Sequence, residues 1–175
     1  FVFKITYYGD EILRKEAEDV VVNSETLEIA KKMVNAMKIY KGFGLAAPQV
    51  GISKKIIVIQ LSDDSEPMFF FNVKILEKSA EENIMEEGCL SVPGIYEEIT
   101  RPEKVKFSYT DVNGDSKIVE TDGVLARVIQ HEADHLYGRL FIDYLSPLKK
   151  NFLKKKLVNI KKGIIPEDYI PEGME

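Results

Sequence analysis

The sequence predicts an α+β fold, with antiparallel β-sheets packed around a central helix and flanked by an N-terminal and a C-terminal helix. Two observations carry this. Patterned segments run helix, strands, helix, helix, without the regular alternation that builds a parallel sheet. The strand-like segments cluster mid-chain and are dense in β-branched and aromatic residues, whereas the helical ones repeat apolar residues every three or four positions. No repeat, low-complexity tract or long linker divides the 175 residues, so 1–175 reads as one domain.

The first helix is expected over Glu25–Tyr40. Ser24 is its candidate N-cap, Glu25 and Glu28 lie where the helix dipole favours negative charge, and Gly42 follows the last turn. Leu27, Ala30, Met33, Val34, Met37 and Tyr40 share one face and predict its buried side. Strands follow over Lys55–Leu61, Met68–Leu76 and Lys104–Asp111. Asn113-Gly114 predicts a type I′ turn that pairs Lys104–Asp111 with Ser116–Glu120. The second helix is expected over Gly123–Leu136, capped by Thr121 or Asp122 and stopped near Gly138. The third runs over Pro147–Lys162, with Ser146 as N-cap and Pro147 in the first helical position. Gly163–Glu175, rich in Pro and Glu, reads as an extended or fraying tail.

Composition narrows the function classes. The chain carries 24 Lys and Arg against 29 Asp and Glu, a formal net charge of −5, with 45% hydrophobic residues. That mix buries a core and excludes wholesale disorder. A pI near 5.3 without a pervasive basic stripe argues against a dedicated nucleic-acid binder, DNA included. One Cys excludes an intrachain disulfide framework, and no apolar run approaches the roughly 18 residues of a membrane span. The opening Phe-Val-Phe-Lys lacks a signal-peptide pattern, so a reducing cytoplasm is the expected compartment and a monomer the expected state.

Both histidines of the chain fall within His131-Glu132-Ala133-Asp134-His135, in the second helix. Four-residue spacing puts the imidazoles one turn apart on one face, able to hold one cation, with Glu132 placed to handle the protons of bound water. A catalytic site of this kind needs a third protein ligand. Asp143, Glu167 and Asp168 are downstream carboxylate candidates; the alternative is Cys89, set between Gly88 and the extended Leu90-Ser91-Val92-Pro93. A third segment, Gly42-Phe43-Gly44-Leu45-Ala46-Ala47-Pro48-Gln49, reads by itself as a helix C-cap followed by a tight turn. Asp134 is expected to pair with a cation such as Arg101 and brace the helix; Arg127 shares the helix face of His131 without an assigned role.

Taken in order, Gly-Phe-Gly-Leu-Ala-Ala-Pro-Gln, Glu-Gly-Cys-Leu-Ser and His-Glu-Ala-Asp-His resemble the three signature motifs of the peptide deformylases. The resemblance extends from Gly-Asp-Glu-Ile-Leu-Arg-Lys at residues 9–15 to the C-terminal helix. It implies that Cys89, His131 and His135 are the metal ligands, with water in the fourth position, and that Glu132 is the catalytic acid/base. It further implies that the Gln49 amide and the Leu90 backbone N–H stabilise the developing oxyanion, and that Gly44 contacts the peptide substrate. The family removes the N-formyl group from the initiator methionine of new bacterial or organellar polypeptides and releases formate. Its usual metal is Fe2+, with Ni2+ or Co2+ as working substitutes and Zn2+ generally poorer. A Cys thiolate is a soft, charged donor that leaves such a site open to oxidation. Val124 and Val128, seven and three residues before His131, are expected to line the methionine pocket with Phe43, although ordinary core roles fit them equally.

Two other readings stand beside this one. A metallopeptidase of the His-Glu-x-x-His class would use a non-Cys third ligand, and a metal-binding, ribosome-associated module would lack catalysis. Lys149, Lys150, Lys154, Lys155, Lys156, Lys161 and Lys162 lie on the third helix, with no acidic residue between Leu145 and Lys162. Leu148, Phe152, Leu153, Leu157 and Ile160 form its expected docking stripe, so the lysines face water. The resemblance suggests that this basic face meets ribosomal RNA.

Overall fold

In a computed structural model, residues 2–175 are described; Phe1, at the start of the expected domain, lies outside them. Helix α1 covers Ser24–Ile39. Its cap is Asn23 rather than Ser24: Asn23 Oδ1 accepts from the Thr26 N–H at 2.9 Å, and Thr26 Oγ1 accepts from the Asn23 N–H at 2.9 Å. The reciprocal pair decides the start, because only Asn23 has a partner three residues on that can return the bond.

Seven strands follow: β1 (Gly44–Ala46), β2 (Ile56–Ile59), β3 (Met68–Lys78), β4 (Glu82–Cys89), β5 (Val92–Pro102), β6 (Lys104–Thr110) and β7 (Ser116–Asp122). Five form one antiparallel sheet in the order β1-β2-β3-β6-β7, while β4 and β5 form a separate two-stranded ribbon. The expected β6–β7 hairpin is present, with Lys104 opposite Asp122 and Thr110 opposite Ser116. Its turn differs from the two-residue type. Gly114 alone takes positive φ, its N–H donates to Asp111 O, and Asp111 Oδ1 accepts from the N–H groups of Asn113 and Asp115. Asp111 lengthens the loop because its carboxylate offers those N–H groups a local acceptor.

Neither strand of the ribbon shows a plain strand pattern in the sequence, and β1 falls where residues 42–49 read as a turn. Glu82–Cys89 carries three glutamates without alternating polar and apolar residues, and Pro93 and Gly94 follow the first residue of β5. The ribbon gains its burial from distant helices: Val92, Ile95 and Ile99 pack with Leu140, Phe141 and Ile142 and with Leu153, Leu157 and Ile160.

Helix α2 (Gly123–Leu136) lies between sheet and ribbon. Ala126, Ile129, Ala133 and Leu136 pack on Ile57, Ile59, Phe70, Val73, Val105 and Phe107. The other face of the sheet takes α1, with Ala30, Met33 and Met37 against Ile56, Val58 and Phe71. Strand β2 is therefore apolar at every position because its alternate residues feed two different cores. Asp122 precedes α2 but makes no side-chain cap.

Helix α3 covers Pro147–Lys161, and Ser146 Oγ accepts from the Lys149 N–H at 3.2 Å. Its buried stripe is narrower than expected: Leu153, Leu157 and Ile160 are buried, whereas Leu148 and Phe152 are 68% and 74% exposed. Adjacent residues point about 100° apart on a helix, so a helix docked through the Leu153 row turns the Phe152 row to solvent. The C-terminal segment does not run extended. It forms a short helical turn at Glu167–Tyr169, Ile165 joins the ribbon core, and Pro166 and Tyr169 lie over Gly94. Among the described residues, no helix is long and apolar enough to cross a membrane.

The capping assignment is testable by urea denaturation. Asn23→Ala should lower unfolding stability by about 1 kcal/mol, and Ser24→Ala by no more than a few tenths.

Candidate metal centre

Three elements bring the chemistry together. Strand β4 ends at Cys89, α2 presents His131, Glu132 and His135, and the turn Ala47–Val50 after β1 supplies Gln49. The ligand atoms of Cys89, His131 and His135 all lie within 4.8 Å of one another. Cys89 Sγ stands 3.4 Å from His135 Nε2. His131 and His135 are 9% and 1% exposed, so the donors face one another in a water-poor site.

A thiolate and two imidazoles at this separation suit one divalent ion. The two imidazoles differ in their surroundings. Burial alone would push His131 down, but the hydrogen bonds with Cys89 and Glu87 and the charge of Glu132 raise it well above the imidazole range. Burial and the charge of His131 push His135 well below that range. The downstream carboxylates weighed as third ligands are not in the cluster: Asp143 is held by Arg14 at 2.8 Å and by the Leu140 N–H.

The orientation of His131 comes from Glu87, a residue the sequence reading did not single out. Glu87 Oε1 lies 2.8 Å from His131 Nδ1, which leaves Nε2 for the cluster. Glu87 is 6% exposed and also accepts from Arg101 (2.6 and 3.0 Å) and Arg127 (2.7 Å). Burial alone would push its carboxyl up; hydrogen bonds from His131 and Arg101 overcome this and hold it far below the carboxylate range. Arg101 Nη1 donates to Asp134 at 2.9 Å, as expected, and the Tyr144 hydroxyl donates to the same carboxylate at 2.8 Å. Arg127 also donates to the carbonyls of Ile99 and Asn83 and to Asn83 Oδ1. Glu87 lies two residues before Cys89 on the same strand face, and Arg127 one turn before His131. Those spacings were the available signal.

Gln49 is 1% exposed and fully engaged. Its Oε1 accepts from the Ala46 N–H at 3.0 Å, which turns Nε2 toward Cys89 Sγ (3.3 Å) and Ser91 Oγ (3.2 Å). Gly44 lets β1 approach α2: a Cβ there would sit 2.8 Å from Glu132 Oε2 and 3.0 Å from Val128 Cγ1. Glu132 is pushed up to about 7, chiefly by burial, and its Oε1 has no hydrogen-bond partner among the described residues.

A cleft of about 380 Å3 opens over these groups. Phe43, Gly44, Gln49, Leu90, Val128 and Glu132 border it, as do Arg127, Tyr96 and Tyr169. Val124 does not: it is 57% exposed in the first turn of α2, before the helix enters the space between sheet and ribbon. Tyr169 carried no sequence signal, because its segment was expected to fray.

Replacing Glu87 isolates the role of its charge. Glu87→Gln keeps the shape but takes the carboxylate partner from the buried Arg127 and leaves Arg101 with Asp134 alone, and should cost about 3 kcal/mol in urea unfolding together with weaker metal retention on dialysis.

The chain matches the family model described as polypeptide deformylase over residues 2–151. It is 39% identical to a peptide deformylase of Salinibacter ruber over 181 residues, 96% of this chain and 93% of the relative. It is 43% identical to one of Thermotoga neapolitana, covering 93% of this chain and 98% of the relative. Among solved structures, the Plasmodium falciparum peptide deformylase complex with inhibitor superposes with a TM-score of 0.84 at 39% identity, over 91% of this chain and 99% of that one. The Synechococcus elongatus enzyme in complex with actinonin gives 0.82 at 40% identity, over 95% and 88%. Sequence, fold and the meeting of the three motifs agree, and this chain belongs to the polypeptide deformylase family.

Proposed function

We infer that this chain is a metal-dependent hydrolase that removes the N-formyl group from formylmethionine at the start of newly made polypeptides, releasing formate. The observation that carries the reading is the convergence of Cys89, His131 and His135 beside the buried carboxyl of Glu132, in a chain of this family. The group held by Cys89, His131 and His135 would supply Lewis acidity to the attacking water and the formyl oxygen.

The protein's own residues do the rest. Glu132, raised toward neutrality by burial, takes the proton of the attacking water and returns it to the amine nitrogen as the C–N bond breaks. The products balance as formate and a free N-terminal methionine. The amide of Gln49 and the backbone N–H of Leu90 meet charge growing on the formyl oxygen, at about 3 kcal/mol per donor. Gln49 suits this because its Oε1 is anchored on Ala46, which holds Nε2 beside Cys89, where one of its N–H groups can pass from the sulfur to the oxyanion. Hydrogen on the formyl carbon, where an acetyl group carries methyl, fits a centre crowded by Gly44, Glu132 and Val128. Val128 and Phe43 offer apolar surface to the methionine side chain.

Fe2+ is the natural ion in this reading, with Ni2+ or Co2+ able to replace it and Zn2+ less effective. The single thiolate donor favours such borderline ions over hard ones. The enzyme works as a cytoplasmic monomer, and its lysine-rich α3 meets ribosomal RNA. All seven of those lysines are exposed, and among the described residues only Lys149 has an acidic partner near it, Glu97 at 3.3 Å.

Formate release from formyl-Met peptides is the direct assay, on protein prepared anaerobically with iron or reconstituted with nickel. Turnover is expected in both preparations, and silence in both would overturn the reading. Glu132→Ala should retain metal and lose about 100-fold or more in kcat, whereas Cys89→Ser should lose the metal itself. For the second surface, converting the lysines of α3 other than Lys149 to Gln should weaken ribosome binding and flatten its salt dependence. Unchanged affinity in a folded variant would remove the contact from the proposal.

A further inference from the structure

The cleft has a wall that the chemistry of formyl hydrolysis does not use. Two phenol rings from distant segments border it: Tyr96 on β5 and Tyr169 in the turn Glu167–Tyr169. The Tyr96 ring covers the backbone of Gly88, directly before Cys89; a Cβ on Gly88 would come within 2.5 Å of it. Tyr96 is 53% exposed, which places it where the cleft meets solvent. A side-chain hydrogen bond with Tyr169, aided by burial, pushes Tyr96 up to about 12, so it stays a neutral phenol at physiological pH.

Tyr169 is held rather than loose. Its N–H donates to Pro166 O at 2.9 Å, Ile165 is packed in the ribbon core, and Pro166 and Tyr169 rest on Gly94. A substrate with its formyl carbon between Glu132 and Gln49 must lead the rest of its chain out of the cleft. An extended peptide advances about 3.3 Å per residue, so the residues just after methionine reach the mouth. Two aromatic faces there favour apolar side chains.

We propose that Tyr96 and Tyr169 form a contact surface for apolar side chains of the residues following formylmethionine, making the C-terminal segment a determinant of substrate preference. The proposal rests on the deformylase reading and adds a positioning role that the metal centre does not require.

Steady-state formate release from three substrates tests it: formyl-Met amide, formyl-Met-Leu-Phe and formyl-Met-Ser-Ser. In Tyr169→Ala, kcat/KM for formyl-Met-Leu-Phe should fall roughly five- to tenfold, through KM, while the other two substrates stay within about twofold. Tyr169→Phe, which keeps the ring, should retain most of the preference. A fall of equal size on formyl-Met amide would show a merely structural effect and overturn the proposal, as would an unchanged value for formyl-Met-Leu-Phe in a variant with native melting temperature. Absence of formate from every substrate in the unmutated protein would instead overturn the deformylase reading, and this proposal with it.

Discussion

Glu87 is a carboxylate taken almost wholly out of water and surrounded by two guanidinium groups and an imidazole. An isolated charge at that depth would be expelled or neutralised. With Arg101 from β5, Arg127 and His131 from α2, and its own place on β4, it ties the ribbon to the helix that carries His131 and His135. Such a cluster adds little net stability compared with an apolar core, since desolvation offsets most of the attraction. Its contribution is geometric: the ribbon has no side-by-side pairing with the five-stranded sheet, and the Glu87 contacts set how its end, at Cys89, faces α2.

Helix α2 consequently has two faces under different rules. The side toward the sheet is small and apolar, with Ala126, Ile129 and Ala133 allowing close approach. The opposite side carries Arg127, His131 and His135, all buried; Arg127 and His131 bond to Glu87 on β4, and His135 Nε2 faces Cys89 Sγ at its end. Gly44 and Gln49 complete the arrangement from β1 and the turn after it. The glycine admits the helix to van der Waals distance, and the glutamine satisfies the strand's N–H while aiming its amide at the sulfur. Close packing and the polar contacts around Cys89 are served by the same few residues.

The outer parts of the molecule are separated by charge and polarity. Lysines cover the solvent side of α3, while its Leu153, Leu157 and Ile160 anchor the ribbon. The chain then turns back, so that a segment far from the three motifs in sequence reaches the cleft through Tyr169. The ribbon core therefore supports the Cys89–His131–His135 cluster on one side and the mouth of the cleft on the other.

The amino-acid sequence by itself determined the three helices, most of the large sheet, the family and the His131-Glu132-His135 unit, because each depends on short-range spacing. Helical periodicity, a four-residue repeat of imidazoles and an Asn-Gly turn are all contained within a few neighbouring residues. Tertiary structure decided the rest. Asp143, Glu167 and Asp168 competed with Cys89 as ligands when residue type alone was weighed, and only the meeting of β4 with α2 brings the thiol to the imidazoles. The ribbon was hidden because its apolar partners lie on helices more than 40 residues away in sequence. Glu87, Tyr96 and Tyr169 have no local pattern that announces them, since a buried ion cluster and a cleft wall are defined by side chains that become neighbours only when distant segments pack.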